Sequence, residues 1–93
     1  MERFEDIRDS LDTLADFVRW GASAFKRAGL GFTHGTSNAV DEALNLVLHG
    51  LDLDHDIPDW LLNGRLTQTE KQTIFELLRR RIEERKPYAY ITN

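Results

Sequence analysis

The 93-residue chain contains no cysteine, which removes disulfide frameworks, thiol nucleophiles, iron–sulfur ligation and thiolate zinc sites. It also lacks any apolar run near the ~20 residues that a membrane span requires. Its first residues, Met1-Glu2-Arg3-Phe4-Glu5-Asp6, have neither the basic start nor the apolar stretch of a secretory signal. A soluble, cytoplasmic domain without a membrane partner is the expectation. Nor is there length to spare, since a two-domain enzyme with its own cofactor fold needs roughly twice as much chain. What the chain does have is core material, with 41% hydrophobic and 10% aromatic residues against 30% charged. That balance fits one folded unit and not a disordered tail.

Basic excess is missing too, but the net charge of −4 conceals an asymmetry. Residues 1–63 hold 5 Lys/Arg against 12 Asp/Glu, a balance of −7, and residues 64–93 hold 7 against 4, a balance of +3. An acidic first two-thirds argues against broad phosphate binding and hence against direct nucleic-acid recognition. The basic residues concentrate in Arg79-Arg80-Arg81 and Arg85-Lys86.

Apolar spacing is helical throughout and predicts an all-α fold, a small orthogonal or irregular bundle of about five helical segments. Phe4, Ile7, Leu11, Leu14, Val18 and Phe25 predict one long amphipathic helix from Phe4 to Ala28, stopped by a left-handed Gly29. Gly21 interrupts its pattern and marks a close helix–helix approach. Residues 29–38 (Gly29-Leu30-Gly31-Phe32-Thr33-His34-Gly35-Thr36-Ser37-Asn38) read as a loop. Asn38 is placed to cap a second helix, which carries Asp41 and Glu42 in its first turn and is ended or loosened by Gly50. Pro58 suits the start of a short helix ending near Asn63, with Trp60 and Leu61 or Leu62 as its buried residues. Thr67-Gln68-Thr69-Glu70 is a capping box, and Ile74, Phe75, Leu77, Leu78 and Ile82 form the stripe of the helix it opens, which must finish before Pro87. Residues 1–86 form the helical domain. In residues 87–93 the aromatic and β-branched side chains predict the start of a linker or strand.

No reactive constellation emerges. Gly29, Gly31 and Gly35 have the wrong spacing for a dinucleotide fingerprint and follow a helix where that motif follows a strand. His34, His49 and His55 are not spaced to share a metal, and His55 between Asp54 and Asp56 reads as a solvated acidic turn. His34 has no nucleophile or carboxylate assigned to it by spacing. Arg79 and Arg80 have glutamates at i±3 and i±4, which reads as a paired, solvated helix face more readily than as an anion site. Trp20 and Trp60 pack in or rim the core instead of stacking on bases.

Several segments together resemble the N-terminal domain of the HemK-type protein-glutamine methyltransferases, in particular the PrmB branch, which acts on a large-subunit ribosomal protein. The resembling residues are Arg19-Trp20, the loop His34-Gly35-Thr36-Ser37-Asn38 running into Asp41-Glu42-Ala43, Asp56-Ile57-Pro58 and Arg65-Leu66-Thr67. They continue with Glu70-Lys71, Arg80-Arg81-Ile82, Glu84-Arg85, Pro87 and Ala89-Tyr90-Ile91-Thr92-Asn93. The branch pattern has Gly at Thr33, Asp at Ser37 and Pro-Trp at Ala39-Val40, so the surface beside Asn38 differs.

The resemblance implies an S-adenosyl-methionine site in a downstream Rossmann-like domain, with an Asn-Pro-Pro-Tyr catalytic segment. Neither occurs in these residues. The chain is therefore expected to hold no cofactor and no catalytic residue, and to bind the protein substrate on behalf of its own C-terminal catalytic domain. His34, Gly35, Thr36, Asn38, Asp41 and Glu42 are the expected contact residues, with Arg79 and Arg80 as a second strip. Two other readings remain open at this level: a free-standing acidic helical adaptor, and the helical domain of an adenine-specific DNA methyltransferase.

Overall fold

A computed structural model describes residues 3–32, 38–86 and 88–92. The expected contact residues His34, Gly35 and Thr36 lie outside the described residues, as do Thr33 and Ser37. The elements in order are α1 (Phe4–Ser10), α2 (Leu14–Arg27), α3 (Ala39–Gly50), a 3-10 turn (Asp59–Asn63), α4 (Gln68–Glu84) and α5 (Tyr88–Thr92).

The expected first helix is two helices. Its apolar positions continue across residues 11–13, but Thr13 Oγ1 accepts the Asp16 N–H at 3.1 Å, and Asp16 Oδ2 accepts the N–H groups of Thr13 and Asp12 at 3.0 Å. Those bonds hold the Asp16 carboxyl below the usual carboxylate range, the Thr13 backbone being the largest cause. The released backbone is used at long range: Leu14 N–H donates to Gly64 O at 3.2 Å and Leu66 N–H to Asp12 O at 2.9 Å. Asp12 also receives Arg65 at 3.0 Å and Lys71 at 3.6 Å. The break is thus a docking point for the strand-like 64–66 segment.

Helix ends follow from local chemistry. Gly29 at φ 70° lets its N–H reach Lys26 O and the Leu30 N–H reach Phe25 O, which closes α2 while Leu30 folds back into the core. At the end of α3 the left-handed residue is Asp52, at φ 57°. Gly50 serves packing instead, since a Cβ there would stand 3.1 Å from Leu77 Cδ1 and 3.2 Å from Ile74 Cγ1. The capping box of α4 is present, with Glu70 N–H to Thr67 Oγ1 at 3.1 Å and Thr67 N–H to Glu70 Oε1 at 2.8 Å. Thr67→Ala should lower stability by about 1 kcal/mol, read as a shifted urea midpoint; an unmoved midpoint would deny Thr67 the cap.

The helices enclose one core built on Phe17, Phe25, Leu46, Leu48, Ile74 and Leu78, all with no exposed surface. α2 crosses α3 and α4 where Gly21 stands, and a Cβ there would meet Leu78 Cδ2 at 3.1 Å and Ala43 at 3.3 Å, so the expected close approach is real. Trp20 rims this core with its ring 4.9 Å from Phe75.

Two expectations are corrected. Trp60 is 70% exposed, because a five-residue 3-10 turn lays only part of its perimeter on α2. Residues 88–92 are helical and not the start of a strand, and Ile91 is buried in the core. The segment packs against α3 and α4 as a helical turn, and among the described residues no strand is available to pair.

Candidate functional site

The N-terminus of α3 is where the expected contact residues begin. Asn38 Oδ1 accepts the Asp41 N–H at 2.9 Å, and Asn38 Nδ2 donates to Asp41 Oδ2 at 3.1 Å. Both side chains are exposed there, and together they terminate the helix and add negative charge at its positive end.

Glu42 is in a different position altogether. It is 1% exposed and faces Arg81 of α4, itself 2% exposed, with Nε to Oε2 at 2.6 Å. Arg81 Nη2 donates to Gly31 O at 2.9 Å, and the guanidinium carbon lies 5.8 Å from the centre of the Phe32 ring. One turn on, Arg85 Nη1 donates to Ala28 O at 2.9 Å. Arg81 on α4 and Arg85 at its C-cap therefore grip the carbonyls that follow α2. The expectation that Glu42 meets a partner at the surface is corrected, since its carboxylate is enclosed by this network. Arg81 likewise leaves the basic strip.

This pair had a signal in the sequence. Glu42 falls on the apolar stripe Ala39, Ala43, Leu46, and Arg81 continues the stripe Ile74, Leu78. Opposite charges on the buried faces of two helices predict a buried pair, because neither can be desolvated alone.

Arg79 and Arg80 stay at the surface. Arg79 reaches Glu76 and, at 2.8 Å, Glu83; Arg80 reaches Glu84 at 2.9 Å. Those bonds raise both guanidinium groups further, Glu76 being the main cause for Arg79 and Glu84 for Arg80. The expected i±3 and i±4 pairing is what the structure contains. The acidic turn at His55 is anchored as well, with Nδ1 2.8 Å from Asn45 Oδ1. Among the described residues no group of three or more His, Asp or Glu converges as a metal site, and no helix is long and apolar enough to cross a membrane.

Comparison with known proteins places this helical unit. Over 84 residues, 90% of its length, the chain is 46% identical to the ribosomal protein uL3 glutamine methyltransferase of Xanthomonas campestris pv. campestris. It is 48% identical over the same extent to the proteins of that name from two strains of Xylella fastidiosa. The chain is similar to these uL3 glutamine methyltransferases over most of its own length. It spans 27% of the length of these relatives. No family model matches it, and no solved structure matches it.

A methyltransferase implies S-adenosyl-methionine, and the glycine turn is where such a ligand would be sought. A Cβ at Gly29 or Gly31 would meet nothing within 4 Å, so there is room. The turn follows α2, however, and its carbonyls already accept from Arg81 and Arg85. A cofactor cradle needs backbone N–H groups after a strand and a carboxylate for the ribose. The described residues do not fit the cofactor.

Proposed function

We propose that the chain is the N-terminal, non-catalytic substrate-binding domain of an S-adenosyl-methionine-dependent enzyme that methylates a glutamine side-chain amide of ribosomal protein uL3. The observation that carries this reading is the 46% and 48% identity, over 90% of the chain, to proteins named for that reaction. The physical features agree with it. The acidic balance of residues 1–63 complements a basic ribosomal protein. Residues 1–86 hold the substrate, and the chain passes through α5 toward a Rossmann-like catalytic domain. S-adenosyl-methionine, held in that second domain, supplies the methyl group.

Substrate recognition is assigned to Asn38 and Asp41 at the start of α3, together with His34, Gly35 and Thr36, which precede them in the sequence. The strip of Arg79 and Arg80 is the second surface, its charge already offset by neighbouring glutamates. The setting is the cytoplasm, where ribosomal proteins are made and modified.

The test uses the 93-residue chain as a competitor. Added in excess, it should raise the apparent KM for uL3 of a full-length Xylella enzyme and leave kcat unchanged, while calorimetry with S-adenosyl-methionine shows no saturable heat. Failure to compete would remove the recognition role. Saturable micromolar binding of S-adenosyl-methionine would remove the non-catalytic one.

A further inference from the structure

A groove of about 560 Å³ opens between α1 and α2, lined by Phe4, Ile7 and Leu11 on the α1 side, by Trp20 and Ala24 of α2 and by Ile82 of α4. Among the described residues α1 packs on α4, with the Phe4 and Phe75 ring centres 5.8 Å apart, and not on α2. It has no buried residue of its own, and Phe4 is 50% exposed. Arg19 and Arg27 of α2 are the only charged side chains on the lining. Both are exposed, and among the described residues neither belongs to an ion pair, whereas Arg8, Arg65, Arg79, Arg80 and Arg81 each hold a carboxylate. Asp16, one turn before Arg19, feels its charge but has its carboxylate in the cap at Thr13. On α1, Glu5 lines a separate gap toward α4, Asp9 accepts from Arg8 and Gln68, and Asp6 is not on the lining.

We propose that this groove docks an extended acidic segment of a protein partner, with an apolar side chain between two carboxylates. Arg19 and Arg27 stand eight residues apart on α2, which separates them by about 12 Å along the helix axis. In an extended chain, carboxylates four residues apart stand about 13 Å from one another, on the same side as the residue midway between them. Such a segment sets one carboxylate at each arginine and its middle side chain against Trp20 and Ala24. The two ion pairs fix direction and register, and the apolar side chain fills the floor. The inference goes beyond the substrate-binding reading, because a basic substrate would bring its own cations against both arginines. A second copy of the chain is a poor occupant. Its exposed acidic connection has Asp52 and Asp56 four residues apart, but Asp54 stands midway where an apolar side chain is needed, and Asp52 is left-handed and not extended. A phosphate backbone could meet the arginines but brings no aliphatic side chain to the floor.

Trp20 lines the groove and reports on it. Trp60, 70% exposed on the 3-10 turn, is the only other tryptophan, and Trp60→Phe silences it. The probe is a blocked peptide with Asp-Ala-Phe-Ala-Asp between serine and glycine spacers, titrated against that variant of the 93-residue chain. It should change the Trp20 emission saturably, and more weakly as salt rises. Arg19→Glu and Arg27→Glu should each weaken it about tenfold, with circular dichroism confirming that both fold. The same peptide with lysine for both aspartates should not bind, and should bind once Arg19→Glu and Arg27→Glu are combined. The two peptides on the unaltered arginines decide the charge argument even if a variant fails to fold. Equal binding of the two, equal binding when serine replaces the phenylalanine, or no saturable change would each overturn the proposal. Displacement of the peptide by uL3 would give the groove to the substrate, and displacement by a single-stranded oligonucleotide would give it to nucleic acid. A dimer in sedimentation that Arg27→Glu disperses would give it to a second copy. Loss of peptide binding when the chain is joined to its catalytic domain would give it to that domain. Each of these results also overturns the proposal.

Discussion

Arg81→Met should destabilise the chain by about 3–5 kcal/mol, the range for removing one member of a buried ion pair. Glu42, at 1% exposure, would keep its carboxylate inside with its guanidinium partner gone, and Gly31 O would lose the donor that holds it. Small domains are stable by only about 5–15 kcal/mol in total, so the variant stands near the limit of folding. Its partner experiment is the double replacement Arg81→Met with Glu42→Leu. Removing both charges together takes the carboxylate out of the interior along with the guanidinium, so the double variant should be more stable than Arg81→Met alone, as apolar replacements of buried pairs often are. Urea unfolding of the three proteins decides it. A single variant that loses less than about 1 kcal/mol would mean that Arg81 is not what holds the Glu42 carboxylate in the interior. The same coupling means that Glu42 cannot be tested as a surface contact, since any loss of binding on its replacement would follow the loss of fold.

Phe25→Ala should cost about 3–5 kcal/mol, the range for emptying a buried aromatic site. Phe25 has no exposed surface, packs with its ring centre 6.3 Å from that of Phe32, and offers its carbonyl to Leu30 in the turn that closes α2. The cavity would lie under the stretch that Arg81 and Arg85 grip, so the effects of Phe25→Ala and Arg81→Met should not add. Trp60→Ala is the internal comparison. At 70% exposure the larger ring should cost no more than about 0.5 kcal/mol. Equal losses at the two positions would place Trp60 against the core.

Much of this architecture could be read from local chemistry. The Thr67 to Glu70 box, the left-handed Gly29, the cap at Asn38 and the close approach at Gly21 each satisfy a need that arises within a few residues. An unpaired N–H, a positive φ or a missing Cβ is a property of the residue itself. The glutamates spaced around Arg79 and Arg80 likewise declared their partners. Periodicity misled across residues 11–13 because it reports which face is apolar and not whether the backbone continues. Thr13 and Asp16 carried the cap, but its consequence, an open edge that receives residues 64–66, needed a segment fifty residues away.

Sequence alone determined that this is an all-α acidic unit with strongly capped long helices, because helix formation and termination depend on interactions over three or four residues. Its similarity to glutamine methyltransferases is also written there, in the order of its residues. Tertiary structure decided the rest. It withdrew Glu42 and Arg81 from the surface by bringing together two helices whose charges can enter a low-dielectric interior only as a pair. It folded residues 88–92 as a helix against α3 and α4 because packing, and not local propensity, supplies the stability of so short a segment. It left Trp60 and Val40 exposed, an arrangement invisible in the spacing of either residue.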